Sequence, residues 1–153
     1  MISKGKKLSS RSTIRRKKAK EFAEKPDFKF EFDGYDAIRP ELLETFAYEY
    51  PGKRSEVTVE TDEFTAVCPW SGLPDFAKIT VVYVPNKDVI ELRSYKYYLY
   101  SYRNVGIFQE HLTQRLLGDL VRCCDPLEMT VITDYNIRGG IHTISKASYR
   151  KKK

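Results

Sequence analysis

The spacing of the apolar residues changes along the chain, and this change constrains the fold more than any other feature of the sequence. Three segments ahead of residue 85 alternate or are rich in β-branched side chains, which is typical of strands: 55–61, 64–68 and 77–84. Pro85 ends the third segment. The Asn86-Lys87 pair then predicts a hairpin between the strand that ends at Val84 and another that begins at Asp88.

From Ser94 the apolar residues recur at three and four positions, which is the period of an amphipathic helix. A short helix that closes near Asn104 and Gly106 is predicted by Tyr95, Tyr98, Leu99 and Tyr102. A longer helix that ends before Asp125-Pro126 is predicted by Phe108, Leu112, Leu116, Leu117, Leu120 and Val121.

Two alternating segments follow the helices, 127–136 and 140–148, and they predict strands joined through Arg138-Gly139-Gly140. Strands, two helices and strands in this order predict an α+β domain whose antiparallel sheet carries both helices on one face. A four-stranded sheet of this kind has open edges. Either these edges are blunted, or subunits pair edge to edge and close a barrel between them.

Charge is divided between the ends and the body of the 153-residue chain. Ten of the 27 Lys and Arg residues lie in 1–26 and four more in 150–153, so the body between them is net acidic. We expect a basic, disordered arm at 1–26, a single domain at 27–149 and a basic tail at 150–153. The arm could give weak, salt-sensitive contact with RNA, or it could serve only as a solvated tail.

Membrane and metal functions are not indicated. The sequence lacks the run of roughly 20 apolar residues that crosses a bilayer and the apolar stretch of a signal peptide, so we expect a cytoplasmic protein. Cys123 and Cys124 are adjacent, so the three cysteines spell no disulfide framework and Cys68 is expected to be a free thiol. Cys68, His111 and His142 lack the spacing of zinc ligands, and we expect no metal site.

The segment "AVCPWSGLPDFAKI", residues 66–79, carries the candidate chemistry. Cys68 ends a predicted strand, and Pro69 forces the chain out of the sheet. The glycine and second proline of "SGLP" shape a return that can bring Asp75 near the sulfur, where it could act as a general acid. The residues alone leave a second interpretation equally open, in which Cys68 is a buried small hydrophobe and Asp75 caps a turn.

Three motifs carry a resemblance to a known family: "CPWSGLPDFA" at 68–77, "ELRSYKYYLYSYRNVGIFQEH" at 91–111 and "RGGI" at 138–141. They resemble the NADPH-dependent 7-cyano-7-deazaguanine (preQ0) reductases, the nitrile reductases of queuosine biosynthesis, in their short single-module form. The resemblance covers roughly residues 40–145, includes "LLETF" at 42–46 and leaves out the arm.

The resemblance implies a reaction and two catalytic residues. Cys68 matches the nucleophile that attacks the nitrile carbon to form a thioimide, and Asp75 matches the acid that protonates the nitrogen. Two hydrides from two NADPH molecules then give the primary amine, 7-aminomethyl-7-deazaguanine (preQ1). A protonated thioimide accepts hydride far better than a nitrile does.

The resemblance also implies binding residues. Glu110 matches the glutamate that holds the guanine-like edge, although its residue type alone favours an ordinary helix N-terminal glutamate. "ELRSYK" at 91–96 resembles the NADPH motif, with arginine in place of the usual lysine at position 93. The implied substrate contacts are Glu110, Glu91 and Ser94, and the implied cofactor contacts are Arg93, Ser94, Lys96 and Arg138.

One position departs from the family. Members often have histidine immediately before the active-site glutamate, whereas this chain has Gln109, with His111 after Glu110. Adjacent helix positions point about 100° apart, so His111 does not take that place. Either Gln109 serves as a hydrogen-bonding group, or the proton follows another route.

The family fold implied is the tunnelling fold (T-fold) of GTP cyclohydrolase I, in which subunits join edge to edge into a barrel. Short members are expected to form a decamer of two pentamers. Two other functions stay open: a related archaeosine-pathway enzyme that converts the nitrile on tRNA into an amidine, and a non-catalytic RNA-binding protein. The basic arm would suit either of them.

Overall fold

The structure is a computed structural model that describes residues 30–152; residues 1–29, which include the predicted arm, and residue 153 lie outside the described part. Two short 3₁₀ turns, Tyr35–Ala37 and Pro40–Leu42, open it. The other elements, in chain order, are β1 (Thr45–Ala47), β2 (Val57–Val67), β3 (Pro74–Val84), β4 (Asp88–Ile90), α1 (Leu92–Tyr100), α2 (Gln109–Cys124), β5 (Glu128–Tyr135) and β6 (Ile144–Arg150).

Four of these strands form an antiparallel sheet in the order β2-β3-β5-β6, and β1 and β4 form a separate two-stranded pair. The predicted α+β class is therefore confirmed, with the two helices between the strand groups along the chain. The last strand extends to Arg150, the first residue of the predicted tail. Among residues 30–152, no helix is both long enough and apolar enough to cross a bilayer.

The predicted hairpin between Val84 and Asp88 is wrong. β4 pairs with β1, with Thr45 opposite Ile90 and Ala47 opposite Asp88. The reason is that β3 already pairs with β2 on one side and with β5 on the other, so it has no free edge for a third strand. The short link after β3 instead carries the chain out of the large sheet.

Several predicted boundaries also change. The segments 55–61 and 64–68 are one strand, β2, whose register shifts at a bulge between Thr61 and Phe64. A bulge keeps the strand paired while it resets the alternation, which is why the sequence pattern breaks there. α1 ends at Tyr100, so Tyr102 lies in the following turn, and β6 begins at Ile144 rather than at residue 140.

The core lies on one face of the sheet. Every second residue of β5 is buried, and its buried positions face the same side as those of β3, because Val81 pairs with Val131 and Tyr83 with Met129. Both helices pack on this face and complete the core with Tyr95, Tyr98, Leu99, Leu112, Leu116, Leu117 and Leu120. The opposite face carries exposed and half-buried residues, among them Phe76, Lys78, Thr80, Thr130 and Asp134.

A buried carboxylate links α1 to α2. The Asp119 side chain has no exposed surface, and it accepts hydrogen bonds from the Tyr98 hydroxyl at 2.7 Å and from Arg115 Nε at 2.7 Å, with a further ion pair to Arg122. The Tyr98 and Tyr102 hydroxyls lie 2.7 Å apart. Burial raises the pKa of both tyrosines, so each hydroxyl keeps its proton and can donate it.

Substitution of Asp119 tests this link. Asp119→Ala leaves the Tyr98 hydroxyl and the Arg115 guanidinium without their acceptor, and we expect it to lower the free energy of unfolding by about 3 kcal/mol or more. Glu63→Ala, which removes an exposed partner of Lys96, should cost about 1 kcal/mol or less. Urea denaturation measures both, and equal losses would show that the link contributes nothing beyond a surface ion pair.

Candidate active site

The β2–β3 connection brings Cys68 and Asp75 together. Cys68 follows the last residue of β2, while Asp75 is the second residue of β3 and pairs with Ala66 in the antiparallel register. The intervening loop is closed by the Cys68 N–H, which donates to the Leu73 carbonyl at 2.9 Å, and by the Gly72 N–H, which donates to the Cys68 carbonyl at 2.8 Å. Gly72 has φ of 70°, a left-handed conformation that glycine adopts without strain.

The start of α2 is held against the end of β2 by backbone hydrogen bonds. The Val67 N–H donates to the Val105 carbonyl at 2.9 Å, and the Ile107 N–H donates to the Val67 carbonyl at 3.0 Å. Gly106, between them, leaves room for the Phe32 side chain, because a Cβ there would lie 2.3 Å from the Phe32 ring. The first turn of α2 is thereby fixed beside Cys68.

Gln109 and Glu110 occupy that first turn. Gln109 Nε2 donates to Asp75 Oδ1 at 3.2 Å. The Glu110 side chain is exposed and lines the same cavity as Cys68 and Asp75. Gln109, treated from sequence as a departure from the family, is therefore a direct partner of the predicted acid. His111 points elsewhere and packs against the Phe108 ring, with 5.7 Å between ring centroids.

Arg138 approaches from the β5–β6 connection. Two backbone hydrogen bonds close a two-residue turn there. The Arg138 N–H donates to the Ile141 carbonyl at 3.0 Å, and the Ile141 N–H donates to the Arg138 carbonyl at 2.9 Å. Gly139 and Gly140 have φ of 57° and 78°, the backbone of a type I′ turn. The Arg138 guanidinium forms an ion pair with Asp75 Oδ1 and lies 3.4 Å from the Ser71 hydroxyl.

These residues surround a cavity of about 350 Å³, within the size range of small-molecule sites. Four residues predicted from sequence line it: Cys68, Asp75, Glu110 and Arg138. Other lining residues were not proposed as site residues from sequence, among them Trp70, Ser71, Asn136 and Thr143. For Trp70 and Ser71 the one available signal was position, because they lie two and three residues after the cysteine in a turn.

The surroundings of Cys68 favour its thiolate. Burial is the largest single influence and raises the pKa, but hydrogen bonds from the Ser71 hydroxyl and from the Ser71 and Trp70 backbone N–H groups outweigh it. The net effect lowers the pKa of the Cys68 thiol below its ordinary value, even though the charge of Asp75 opposes this. Successive N–H groups that converge on one atom form an anion-binding nest.

The residues of the predicted cofactor motif lie outside this cavity. The Glu91 carboxylate caps α1 and accepts bonds from the backbone N–H groups of Arg93 at 3.0 Å and Ser94 at 2.7 Å, and these bonds lower the Glu91 pKa. The Ser94 hydroxyl donates to the Glu91 carbonyl at 2.7 Å and accepts from the Glu44 N–H at 3.0 Å. The hydroxyl and the backbone N–H of Ser94, which the resemblance implies as a substrate and cofactor contact, both donate to Glu91 of the same chain.

Arg93 and Lys96 have exposed side chains at the start of α1. Lys96 Nζ lies 3.9 Å from Glu63 and 5.4 Å from the centroid of the Tyr100 ring, and it borders a second cavity of about 190 Å³ between α1 and β2. Within residues 30–152, no cluster of three His, Cys, Asp or Glu side chains could hold a metal ion.

A thiol of lowered pKa beside a buried carboxylate, in a cavity of small-molecule size, is an arrangement that cysteine-dependent enzymes use. Residues 74–153 match the family described as QueF-like protein, and the chain belongs to this family. Among curated proteins, it is 51% identical over 123 residues to the NADPH-dependent 7-cyano-7-deazaguanine reductase of Caldicellulosiruptor bescii, an alignment that covers 80% of this chain and 94% of the relative.

Other relatives carry the same name. The protein of Thermoanaerobacter pseudethanolicus is 51% identical, with 82% of this chain and 94% of the relative covered. The protein of Chlorobaculum tepidum is 50% identical, with 76% and 99% covered. A solved structure of an archaeosine synthase, QueF-Like in the apo form, matches with a TM-score of 0.58 at 21% identity, covering 68% of this chain and all of that one, which is a likeness of fold alone.

The different surroundings of the three cysteines predict their reactivity. Burial raises the pKa of Cys123 and raises that of Cys124 to about 12, whereas that of Cys68 is lowered. Because the thiolate is the reactive form, iodoacetamide near neutral pH should modify Cys68 first, as read by peptide mass mapping. Ser71→Ala removes one of the hydrogen bonds that lower the Cys68 pKa, so labelling of Cys68 in this variant should need a higher pH. Preferential labelling of Cys123 would contradict this ordering.

Proposed function

We propose that this chain reduces the nitrile of 7-cyano-7-deazaguanine to the primary amine 7-aminomethyl-7-deazaguanine through a covalent adduct on Cys68, in queuosine biosynthesis. The observation that carries the proposal is the pairing of Cys68, with its lowered pKa, and Asp75 in one small-molecule cavity. Identities of about 50% to proteins named as these reductases support the substrate and the cofactor, NADPH.

The first step forms the adduct. As Cys68 sulfur bonds to the nitrile carbon, its S–H proton passes to Asp75, and one π electron pair of the nitrile moves to nitrogen. Asp75 then delivers that proton to the nitrogen, which leaves a neutral thioimide and a carboxylate. Asp75 is suited to this role because it pairs with Ala66 beside the end of β2 and lines the same cavity as Cys68.

Glu110 is the proposed anchor of the base. Its exposed carboxylate lines the cavity, and a carboxylate can accept two hydrogen bonds from the ring N–H and exocyclic amine of a guanine-like edge. An analogue without those donors would leave the carboxylate unpaired and bind poorly. Glu91 and Ser94 are the other predicted substrate contacts, and we propose that they reach the substrate from a neighbouring subunit. Within its own chain, Ser94 bonds to Glu91 and holds it in place.

The residues fit a phosphate-bearing cofactor. Arg93 and Lys96 are exposed cations near the N-terminus of α1, and Arg138 is partly exposed at the cavity, so all three can meet phosphate groups. NADPH supplies the two hydrides that turn a nitrile into a primary amine. During these steps, this chain's own part is to keep the substrate on Cys68, hold the base on Glu110 and move protons through Asp75.

We also propose the tunnelling fold and its assembly. β2 and β6 are the outer strands of the four-stranded sheet. Within residues 30–152 no strand pairs with their outer edges, although Val67 at the end of β2 bonds to Val105 and Ile107. Pairing of these edges between copies would close a barrel, and it could bring Glu91, Arg93 and Lys96 of one copy to the cavity of another. A decamer of two pentamers is the expected assembly.

Two features outside the site complete the proposal. The basic residues of 1–26 are proposed to give weak, salt-dependent contact with RNA, as an arm on the single domain at 27–149, with 150–153 as a basic tail. The three free cysteines suit a reducing compartment, where thiols stay reduced, and this supports the cytoplasm as the location.

The reaction can be tested directly by counting cofactor. With purified protein and free 7-cyano-7-deazaguanine, we expect two NADPH oxidised per nitrile, with the amine as the product seen by mass spectrometry. Cys68→Ala should abolish turnover because no thioimide can form, whereas Cys123→Ala, the same change at a half-buried thiol on α2, should retain it.

Other outcomes would identify the alternatives. Turnover by Cys68→Ala would rule out the covalent route. A Cys68 adduct without NADPH oxidation, together with amidine formation on tRNA supplied with ammonia, would indicate the archaeosine-type reaction. RNA binding with neither adduct nor turnover would leave the non-catalytic function.

A further inference from the structure

The Asp75 carboxylate is held asymmetrically. Its side chain is 4% exposed, and both of its side-chain partners, Arg138 and Gln109, bond to the same oxygen, Oδ1. Oδ2 accepts neither bond. Two donors on one oxygen, coming from different elements, fix the plane of the carboxylate and distinguish its two oxygens.

Arg138 also connects Asp75 to Cys68. Its guanidinium lies 3.4 Å from the hydroxyl of Ser71, the residue whose hydrogen bonds lower the thiol pKa. Cys68, Asp75 and Arg138 line the same cavity, and both Asp75 and Cys68 act to raise the Arg138 pKa against the effect of burial. A single cation therefore lies beside the nucleophile and the acid.

We infer that Arg138 and Gln109 are positioning residues for adduct formation: they occupy Oδ1 of Asp75 so that Oδ2 carries the proton between Cys68 sulfur and the nitrile nitrogen. The resemblance implied a cofactor phosphate contact for Arg138, whereas its ion pair with Asp75 assigns it a role before any hydride is transferred. The inference rests on the proposed function.

The role of Gln109 follows from its chemistry. An amide donates through Nε2 and does not titrate in the working pH range, so it can orient a carboxylate without competing for its proton. Arg138 stays charged at any such pH. Both partners of Oδ1 therefore keep their protons while Oδ2 gains and loses one, and the proton has one path between sulfur and nitrogen.

The test is adduct formation in the absence of NADPH. The full-length protein is mixed with 7-cyano-7-deazaguanine alone, and intact mass spectrometry follows the rate at which Cys68 gains the mass of the nitrile. Arg138→Ala should slow this rate about tenfold or more, because misplacement of a reacting group by about 1 Å can cost about a hundredfold. Arg138→Lys should recover part of the loss, and Gln109→Ala should slow the rate by a smaller factor.

A matched control and a second background separate positioning from folding. Arg150→Ala removes an arginine from an exposed ion pair with Glu128, at the opposite end of β5 from Arg138, and should leave the adduct rate unchanged. In an Asp75→Asn background, Arg138→Ala should cause little further slowing, because the residue acts through Asp75. Thermal melting of each variant shows whether it is folded.

The contrary results are distinct. If Arg138→Ala forms the adduct at the normal rate and only the KM for NADPH rises, Arg138 is a cofactor contact and the inference is overturned. If Arg138→Ala slows adduct formation by the same factor in the Asp75→Asn background as in the unsubstituted protein, the inference is overturned as well. If the unsubstituted protein forms no adduct, the proposed function itself fails, and the inference with it.

Discussion

The structure of the site depends on the antiparallel register between β2 and β3. Because Asp75 pairs with Ala66, the chain re-enters the sheet beside the end of β2, where it left the sheet. Cys68 and the Asp75 carboxylate therefore lie on either side of a short loop. β3 is also paired along its other edge with β5, which continues toward Arg138. These two registers bring Cys68, Asp75 and Arg138 around one cavity, and the core on the helical face fixes both registers.

Within residues 30–152 two carboxylates are buried, and each is paired with arginine. Asp119 joins α1 to α2 and accepts from Tyr98 and Arg115, while Asp75 meets Arg138 and Gln109. A buried carboxylate is costly unless it is paired, so each of these residues makes its surroundings hard to rearrange. In the first case the result is helix packing. In the second it is a carboxylate at the cavity whose two oxygens have different partners.

Local patterns in the sequence were enough to predict some of this. The period of three and four residues identifies both helices, and alternation identifies the strands of the four-stranded sheet, because burial on one face leaves a direct mark on residue type. The pairing of β4 with β1 could not be predicted, since β1 has three residues and its partner lies over 40 positions away. No local pattern records which distant edge is free.

The same distinction applies to the site. Cys68 and Asp75 are seven positions apart in a loop whose Pro and Gly residues predict a return, so their meeting could be anticipated. The contact of Gln109 with Asp75 spans 34 positions, and it depends on hydrogen bonds of Val67 with Val105 and Ile107 that have no signature in residue type. Glu91 caps α1 through bonds to Arg93 and Ser94, which a local pattern could have predicted. The cap was not predicted because residues 91–96 resemble a cofactor motif and were interpreted in that way.

The Gly139-Gly140 turn makes the site sensitive to the chirality of the backbone. A Cβ added at either glycine would meet no atom within 4 Å, so there is room for a larger residue, but both positions have positive φ. An L-residue is disfavoured there by its own stereochemistry rather than by crowding. The position of the Arg138 guanidinium beside Asp75 thus depends on two achiral residues. A D-amino acid at either position would fit the positive φ, whereas the L-amino acid of the same type would be strained.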